Sequence, residues 1–600
     1  MVAAEFIRWS PEAANLTLSN YPVRRKRMRK VLCILGLMLL TTMCTHSPSG
    51  GPTMAVADTA VALATDSPAD QQVDQQQVGQ PASQQVWIDP VAGDDSRTGD
   101  SRTTALRTLT EAWNRIPQGT PLTTGYELML MAGNYPESSL PNYLESRYGT
   151  AAAPIVIQAA DGVGTAVLQG DLNIYDTRYL TLQQFQIIPN PPGDAFHCEQ
   201  CQHITLRGMV LSGGNREAHE TVKINQSQYI FIEDSDISGA DDNAIDYVAV
   251  QYGHIIGSRI HNAGDWCLYA KGGSAYLRIE GNEVFNCSTG GFTAGQGAGL
   301  EFMTSPWLHY EAYDLKFINN LVHDTAGAGM GVNGGYNILL AYNTLYRVGQ
   351  NSHAVEVVYG LRSCDGNTAV CQANLDQGAW GTTVNIAQSQ GEPIPDQNIA
   401  IFNNLIYNPA GYASQWQHFA IYGPRVPSAG SNLPNPVHTD INLVIQGNVI
   451  WNGSSQLPLG IEESDQGCQP SNSTCNATQL LADNWINQFE PQLVNPEANN
   501  FAPAANSNLY GAAARPIPDF SWADAPAPPL APPGTLSNVV LSDFYGHTRA
   551  AGGPVGAFLE EGTANLTFSY LPLVVTHHTA VVGRPTKYVP HPVYLSMLSR

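Results

Sequence analysis

Short stretches of alternating apolar and polar residues recur along the chain with one shape: apolar, any, apolar, two variable positions, polar, any, apolar. They are Leu180–Ile187, Ile204–Leu211, Ile230–Ile237, Leu277–Val284, Leu315–Val322, Ile338–Leu345, Ile399–Ile406 and Leu443–Ile450, with Gly253–Ile260 filling the gap. The closing apolar residues of the first seven coils fall at 187, 211, 237, 260, 284, 322 and 345, at intervals of 24, 26, 23, 24, 38 and 23. Alternation over so few residues predicts short strands. Strands this short cannot bury a face alone, so a period near two dozen predicts one coil of a parallel solenoid, each coil stacked about 4.8 Å above the last. The sixth position carries Asn282, Asn320, Asn343, Asn404 and Asn448, with Ser235 and Ser258 in two earlier coils. Amides in register predict a hydrogen-bonded ladder along the axis at an inward turn. A β-sandwich would show closer strand spacing and no fixed amide position. The long interval predicts a bulging insertion over Gly290 to Pro306.

The ends lack this pattern. Arg24 to Lys30 is a basic run, and Val31 to Met43 is an apolar stretch too short for an ordinary spanning helix but suited to a signal-peptide core. Ala55-Val56-Ala57 offers a small-x-small cleavage site, and Cys44 raises a lipoprotein alternative that the preceding residues fit poorly. The expected organisation is a signal-peptide region at 1–57, a Gln- and Asp-rich disordered linker at 58–85, a solenoid domain at 86–560 and a tail at 561–600. A Pro-rich stretch, Ala523 to Gly534, lies near the end of the domain. No later segment is apolar enough to span a bilayer, so the mature chain is expected to be secreted, extracellular or at the cell surface, and monomeric.

Composition narrows the partners. Asp and Glu number 51 against 28 Lys and Arg, for a net charge of −23. That balance argues against nucleic acid, whose phosphates call for basic clusters. The six lysines are Lys26, Lys30, Lys223, Lys271, Lys316 and Lys587, so any lysine in a cleft carries weight. Eight cysteines beyond the leader fall in close pairs: Cys198–Cys201, Cys267–Cys287, Cys364–Cys371 and Cys468–Cys475. In an oxidising compartment these are expected to be disulfides. No second thiol or histidine pair stands at zinc spacing from Cys198 and Cys201.

The repeats, the asparagine positions and the phrase Leu268-Tyr269-Ala270-Lys271-Gly272-Gly273-Ser274 followed by Ile279-Glu280-Gly281-Asn282-Glu283-Val284 resemble the right-handed parallel β-helix superfamily of pectate lyase-like proteins. The opening, Val86 to Ser139, is similar to the entry of secreted members, where an amphipathic helix around Leu106–Ile116 caps the first coil. The closing Asp543-Phe544-Tyr545-Gly546, Arg549 and Gly556-Ala557-Phe558 are similar to their exit. The resemblance spans about 86–560 and implies an all-β right-handed parallel β-helix with a short N-terminal capping helix. It does not select an activity, because the superfamily holds lyases, hydrolases, epimerases and non-catalytic proteins.

In each coil a second strand follows. Aligning these strands gives an outward column of His197, Lys223, Asp246, Tyr269, Glu301, Gly331 and Glu356, and two residues on Glu199, Asn225, Val248, Lys271, Met303, Asn333 and Val358. His219, Glu220, Asp241, Asp242 and Asp265 precede them. The plain interpretation is a solvated acidic face. The concentration of lysines and acids between Lys223 and Glu301 favours a polysaccharide groove instead, with Trp266, Tyr247, Trp307 and Tyr310 as sugar-stacking rings. β-Elimination of a uronic-acid polymer needs a base for the C5 proton and a cation for the neighbouring carboxylate. Lys271 is the expected base, with Lys223 as second candidate. Asp241, Asp242, Asp246 and Asp265 are the expected Ca2+ ligands, calcium preferring hard oxygens. That arrangement is similar to calcium-dependent pectate lyases that use a lysine base. His197, Tyr269, Trp266, Glu301, Arg259 and Arg278 are the expected substrate contacts, the two arginines steadying the carboxylate. The alternatives are a hydrolase pairing carboxylates among Asp242, Asp246, Asp265 and Glu301, a C5-epimerase sharing the proton abstraction, and a non-catalytic carbohydrate-binding or adhesin-type surface protein. The Arg-Ile-Lys triplet and Gly-His-Gly loop of polygalacturonases are absent.

Overall fold

The computed structural model describes residues 83–560, apart from 191–192, 385–390, 454–455 and 522–536. The expected signal region, the tail and the Pro-rich stretch from Ala523 lie outside the described residues. The first strand, Ser83–Ile88, begins inside the last three residues of the expected linker.

Three parallel sheets run the length of the domain and make it a right-handed parallel β-helix. Two have 12 strands and the third has 10. The closing apolar residues of the repeat become neighbours: Ile187 pairs with Leu211, then Ile237, Ile260, Val284, Val322, Leu345, Ile406 and Ile450 in unbroken register. Alternate residues of each strand point inward, and one continuous apolar core fills the coil from Val86 to Leu480. The helix Leu109–Asn114 closes the first coil, with Leu109, Ala112 and Trp113 buried. Its N-terminus is capped by the Thr108 side chain, which accepts from the Glu111 N–H.

The amide ladder forms as the repeat predicts. Asn282, Asn320, Asn343 and Asn404 each donate a main-chain N–H to the side-chain oxygen of the next ladder asparagine at 2.9–3.0 Å, ending on Asn448. Asn448 extends the ladder to Asn484, a step the repeat shape does not reveal. Ser235 and Ser258 continue it upward, the Ser235 N–H donating to Ser258 Oγ at 3.1 Å. A second, shorter ladder joins Asn408, Asn452 and Asn487. The four expected disulfides are all present, and Cys267–Cys287 joins adjacent coils.

The insertion begins later than the spacing suggests. Gly290–Gly295 is a regular strand of the third sheet. The bulge follows it and packs on the excursion after Gly360, where Gly297–Gly299 pairs with Gly360–Ser363. At that junction the fully buried Arg362 guanidinium lies 2.7 Å from Glu311.

Candidate active site

Most of the candidate site residues gather on the third sheet. Its outward column runs Asn173, His197, Lys223, Asp246, Tyr269, Thr293, Gly331, Glu356 and Ala420. Thr293, not Glu301, therefore stands between Tyr269 and Gly331. In the second column Gly295, not Met303, stands before Asn333. The physical reason is the position of the insertion: Glu301 sits in a single 3-10 turn, Leu300–Phe302, where its carboxylate accepts from the N–H groups of Asp365 and Asn367 at 3.0 Å. It braces two loops and is not on the site wall.

The position three residues before each column residue forms a third line of side chains: Asp194, Glu220, Asn243 and Trp266. The Glu220 N–H donates to Asp194 at 3.0 Å, the Asn243 N–H to Glu220 at 2.9 Å, and the Asn243 amide to the Trp266 carbonyl at 3.0 Å. Asp194 was not anticipated from sequence; its offset from His197, the same as that of Glu220 from Lys223, is the signal that reveals it.

These lines converge on Lys223. Its Nζ lies 3.5 Å from Glu220 and 3.6 Å from Asp246, and the side chain is 24% exposed. Burial pulls the ammonium down, but the carboxylates of Asp246, Glu220 and Asp194 outweigh it and hold its pKa above the usual lysine value. Glu220 is almost fully buried; burial and the Asp246 carboxylate push it up to about 8, against the pull of Lys223. His219 lies 3.5 Å from Glu220 and 3.7 Å from Asp242. Burial, then Asp265, raises Asp242. Burial lowers His197, whose ring lies 3.4 Å from the Asn225 amide. Asp246 Oδ1 is buried without a hydrogen-bond partner.

Lys271 stands one coil beyond Asp246 and two residues along, paired with Val248. Its Nζ donates to the Tyr269 hydroxyl at 2.9 Å and to Gln296 at 3.3 Å, over the Tyr269 ring. Tyr269 is nearly buried, and burial raises its phenol well above the usual tyrosine value. Trp266 packs with Tyr269 and Ala328, flat against the backbone at Gly290, where a Cβ would meet its ring at 2.3 Å.

Of the four expected calcium ligands, Asp242 joins His219 and Glu220 in a group whose ligand atoms lie within 4.8 Å of one another. Asp246 faces Lys223, Asp265 is near enough to act on Asp242, and Asp241 is exposed and makes no side-chain hydrogen bond or ion pair among the described residues. The two expected arginines lie elsewhere: Arg259 pairs with Asp236 and Glu283 on the second sheet, and Arg278 with Glu280 on the first. Tyr247 points into the core, and Trp307 and Tyr310 are buried in a separate aromatic cluster, so none of the three presents a free ring face.

Residues 194–415 match the family described as right handed beta helix region. Among solved structures, the chain is similar to the pectate lyase Pel9A at 14% identity and a TM-score of 0.41, covering 80% of this chain and 96% of that one. It is similar to XylC, solved in complex with xylose, at 9% identity and a TM-score of 0.41, covering 79% and 98%. It is also similar to the PL6 family polysaccharide lyase Pedsa3628 from Pseudopedobacter saltans at 11% identity and a TM-score of 0.35, covering 66% and 95%. No curated protein matches the sequence.

Proposed function

We propose that this right-handed parallel β-helix protein acts on an acidic polysaccharide, cleaving a uronic-acid-containing chain by β-elimination on the wall formed by the third sheet. The observation that carries the proposal is the division of labour between two lysines one coil apart. Lys223 is locked between Glu220 and Asp246 and stays an ammonium. It is suited to meet a substrate carboxylate, not to take a proton. Among the described residues, Lys271 Nζ hydrogen-bonds only the neutral Tyr269 and Gln296, and feels the charge of Asp242 without a direct ion pair. It is the base: the C5 proton passes to Lys271 Nζ, the pair of electrons left behind forms the C4–C5 double bond, the C4–O bond breaks, and the departing oxygen takes up a proton.

A divalent cation fits the same wall. Five carboxylates, Asp194, Glu220, Asp242, Asp246 and Asp265, face two lysines, and the Asp246 Oδ1 acceptor is buried without a partner. Glu220 and Asp242, with His219 beside them, would supply carboxylate oxygens to the cation, with Ca2+ the assignment this proposal makes. The ion supplies charge neutralisation of an anionic substrate. His197 lines the same wall and is assigned to substrate contact, while the nearly buried Tyr269 and Trp266 form the floor beneath it. Disulfides and an acidic surface suit a secreted, monomeric enzyme.

The test is incubation of the protein with a panel of uronic-acid polymers. New ultraviolet absorbance from an unsaturated product supports elimination. New reducing ends without that absorbance indicate hydrolysis, and an altered C5 configuration without cleavage indicates epimerisation; either overturns the proposal.

A further inference from the structure

Four strand spacings beyond Asp246 on the same wall, about 19 Å along the axis, stands a second constellation that elimination does not use. Glu356 occupies the outward column, and His353 occupies the line three residues before it, the position held by Glu220 in an earlier coil. His353 Nε2 lies 2.9 Å from Glu356 Oε2, and Ser352 Oγ lies 3.1 Å from His353 Nδ1. The imidazole is nine-tenths buried, the Glu356 carboxylate is 13% exposed, and the serine is half-buried beside exposed Gln350 and Asn351. With its amide nitrogen turned toward the carboxylate, Asn333 donates to Glu356 Oε1 at 3.1 Å and fixes the far oxygen.

We propose that Ser352, His353 and Glu356 form an acyl-ester hydrolase centre, acting on ester groups carried by a polysaccharide. That the ester's carrier is a polysaccharide rests on the function proposed above; the acyl chemistry does not. A carboxylate accepting from Nε2–H sets the tautomer that leaves the Nδ1 lone pair facing the serine hydroxyl. A nucleophile in reach of a base, itself held by a third group, is the arrangement that activates serine. Ser352 Oγ attacks the ester carbonyl carbon as its proton passes to Nδ1. The tetrahedral oxyanion collapses, the C–O bond to the alcohol breaks, and the alcohol leaves with the Nδ1 proton. Water then attacks the acyl-serine, gives a proton to Nδ1, and releases the carboxylic acid and free serine. The main-chain N–H of His353, the residue after the nucleophile, has no partner among the described residues and is the oxyanion donor. Elimination and glycoside hydrolysis have no use for such a relay, whereas acyl transfer does. Two exposed rings flank it: Trp416, 43% exposed, whose main-chain N–H donates to the Ser352 carbonyl, and Tyr422, 51% exposed, just past the strand paired with Val355–Val358. Both offer faces to a sugar.

The experiment uses the full chain with a fluorophosphonate probe and p-nitrophenyl acetate. The expected result is a single covalent adduct on Ser352 by peptide mass spectrometry, and a fall in ester turnover of roughly 10²–10⁴-fold in both Ser352→Ala and His353→Gln. Absence of the adduct, or ester turnover in Ser352→Ala equal to the parent, overturns the proposal. Elimination is read separately from ultraviolet absorbance, so its failure leaves the ester result standing and the reverse.

Discussion

At the scale of single residues, the two lysines separate in a way that mutation can read. Lys271→Ala removes the base and is expected to lower kcat for elimination by roughly 10²–10⁴-fold with little change in KM. Lys223→Ala removes the fixed ammonium and is expected to raise KM, and it also leaves Glu220 and Asp246 buried against one another without their cation. Initial rates of ultraviolet absorbance on one polymer check both; equal loss of kcat in both variants would end the division of labour. Glu220 adds a stability signature. Its folded pKa, about 8, lies above the model-peptide value. A raised pKa contributes stability that is fully present below the unfolded value and is lost as pH rises through the folded one. Unfolding free energy is therefore expected to fall between about pH 4.5 and pH 8, with a slope approaching ~1.4 kcal/mol per pH unit for one proton. Urea unfolding of Glu220→Gln across that range should show the slope reduced.

At the scale of elements, the ladder ties strand to strand. Asn320 accepts the Asn282 N–H at 3.0 Å and donates to the Ile279 carbonyl at 3.0 Å, wholly out of water. Asn320→Ala strands both main-chain groups, so a loss of about 2–6 kcal/mol is expected at about 1–3 kcal/mol for each orphaned group. Asn320→Ser keeps an acceptor, as Ser258 does for Ser235, and should lose less. Thermal unfolding of the pair ranks them. The ladder also explains what the sequence disclosed. A buried amide must be paired in every coil, so chemistry and spacing coincide, and the register from Ile187 to Ile450 was legible from the repeat. The outward wall carries no such constraint. Thr293 and Gly295 contribute no charge and lie in a glycine-rich run that resembles a loop, so the column slipped to Glu301, which braces Asp365 and Asn367. Charge alone points to Arg259 and Arg278, whose strands belong to the other two sheets. Cys267–Cys287 was legible because twenty residues separate its ends, close to one coil.

At the scale of the whole molecule, a net charge of −23 makes the folded chain repel itself. Added monovalent salt is expected to raise the unfolding temperature, because the Debye length shrinks from ~10 Å at 0.1 M to ~3 Å at 1 M. Screening of this kind does not distinguish one ion from another at equal ionic strength. A cation bound at Glu220 and Asp242 does, since it adds RT ln(1 + [L]/Kd), about 2.7 kcal/mol at one hundred times Kd. Calcium at matched ionic strength is therefore expected to stabilise beyond sodium, and chelation to remove that excess. Asp242→Asn should abolish the calcium-specific increment while the salt increment survives, because one charge in a surplus of more than twenty barely alters the general field. Differential scanning calorimetry in matched sodium and calcium buffers checks both halves. A calcium increment unchanged in Asp242→Asn would place the cation away from this wall, and Lys223 would then be left as its resident positive charge.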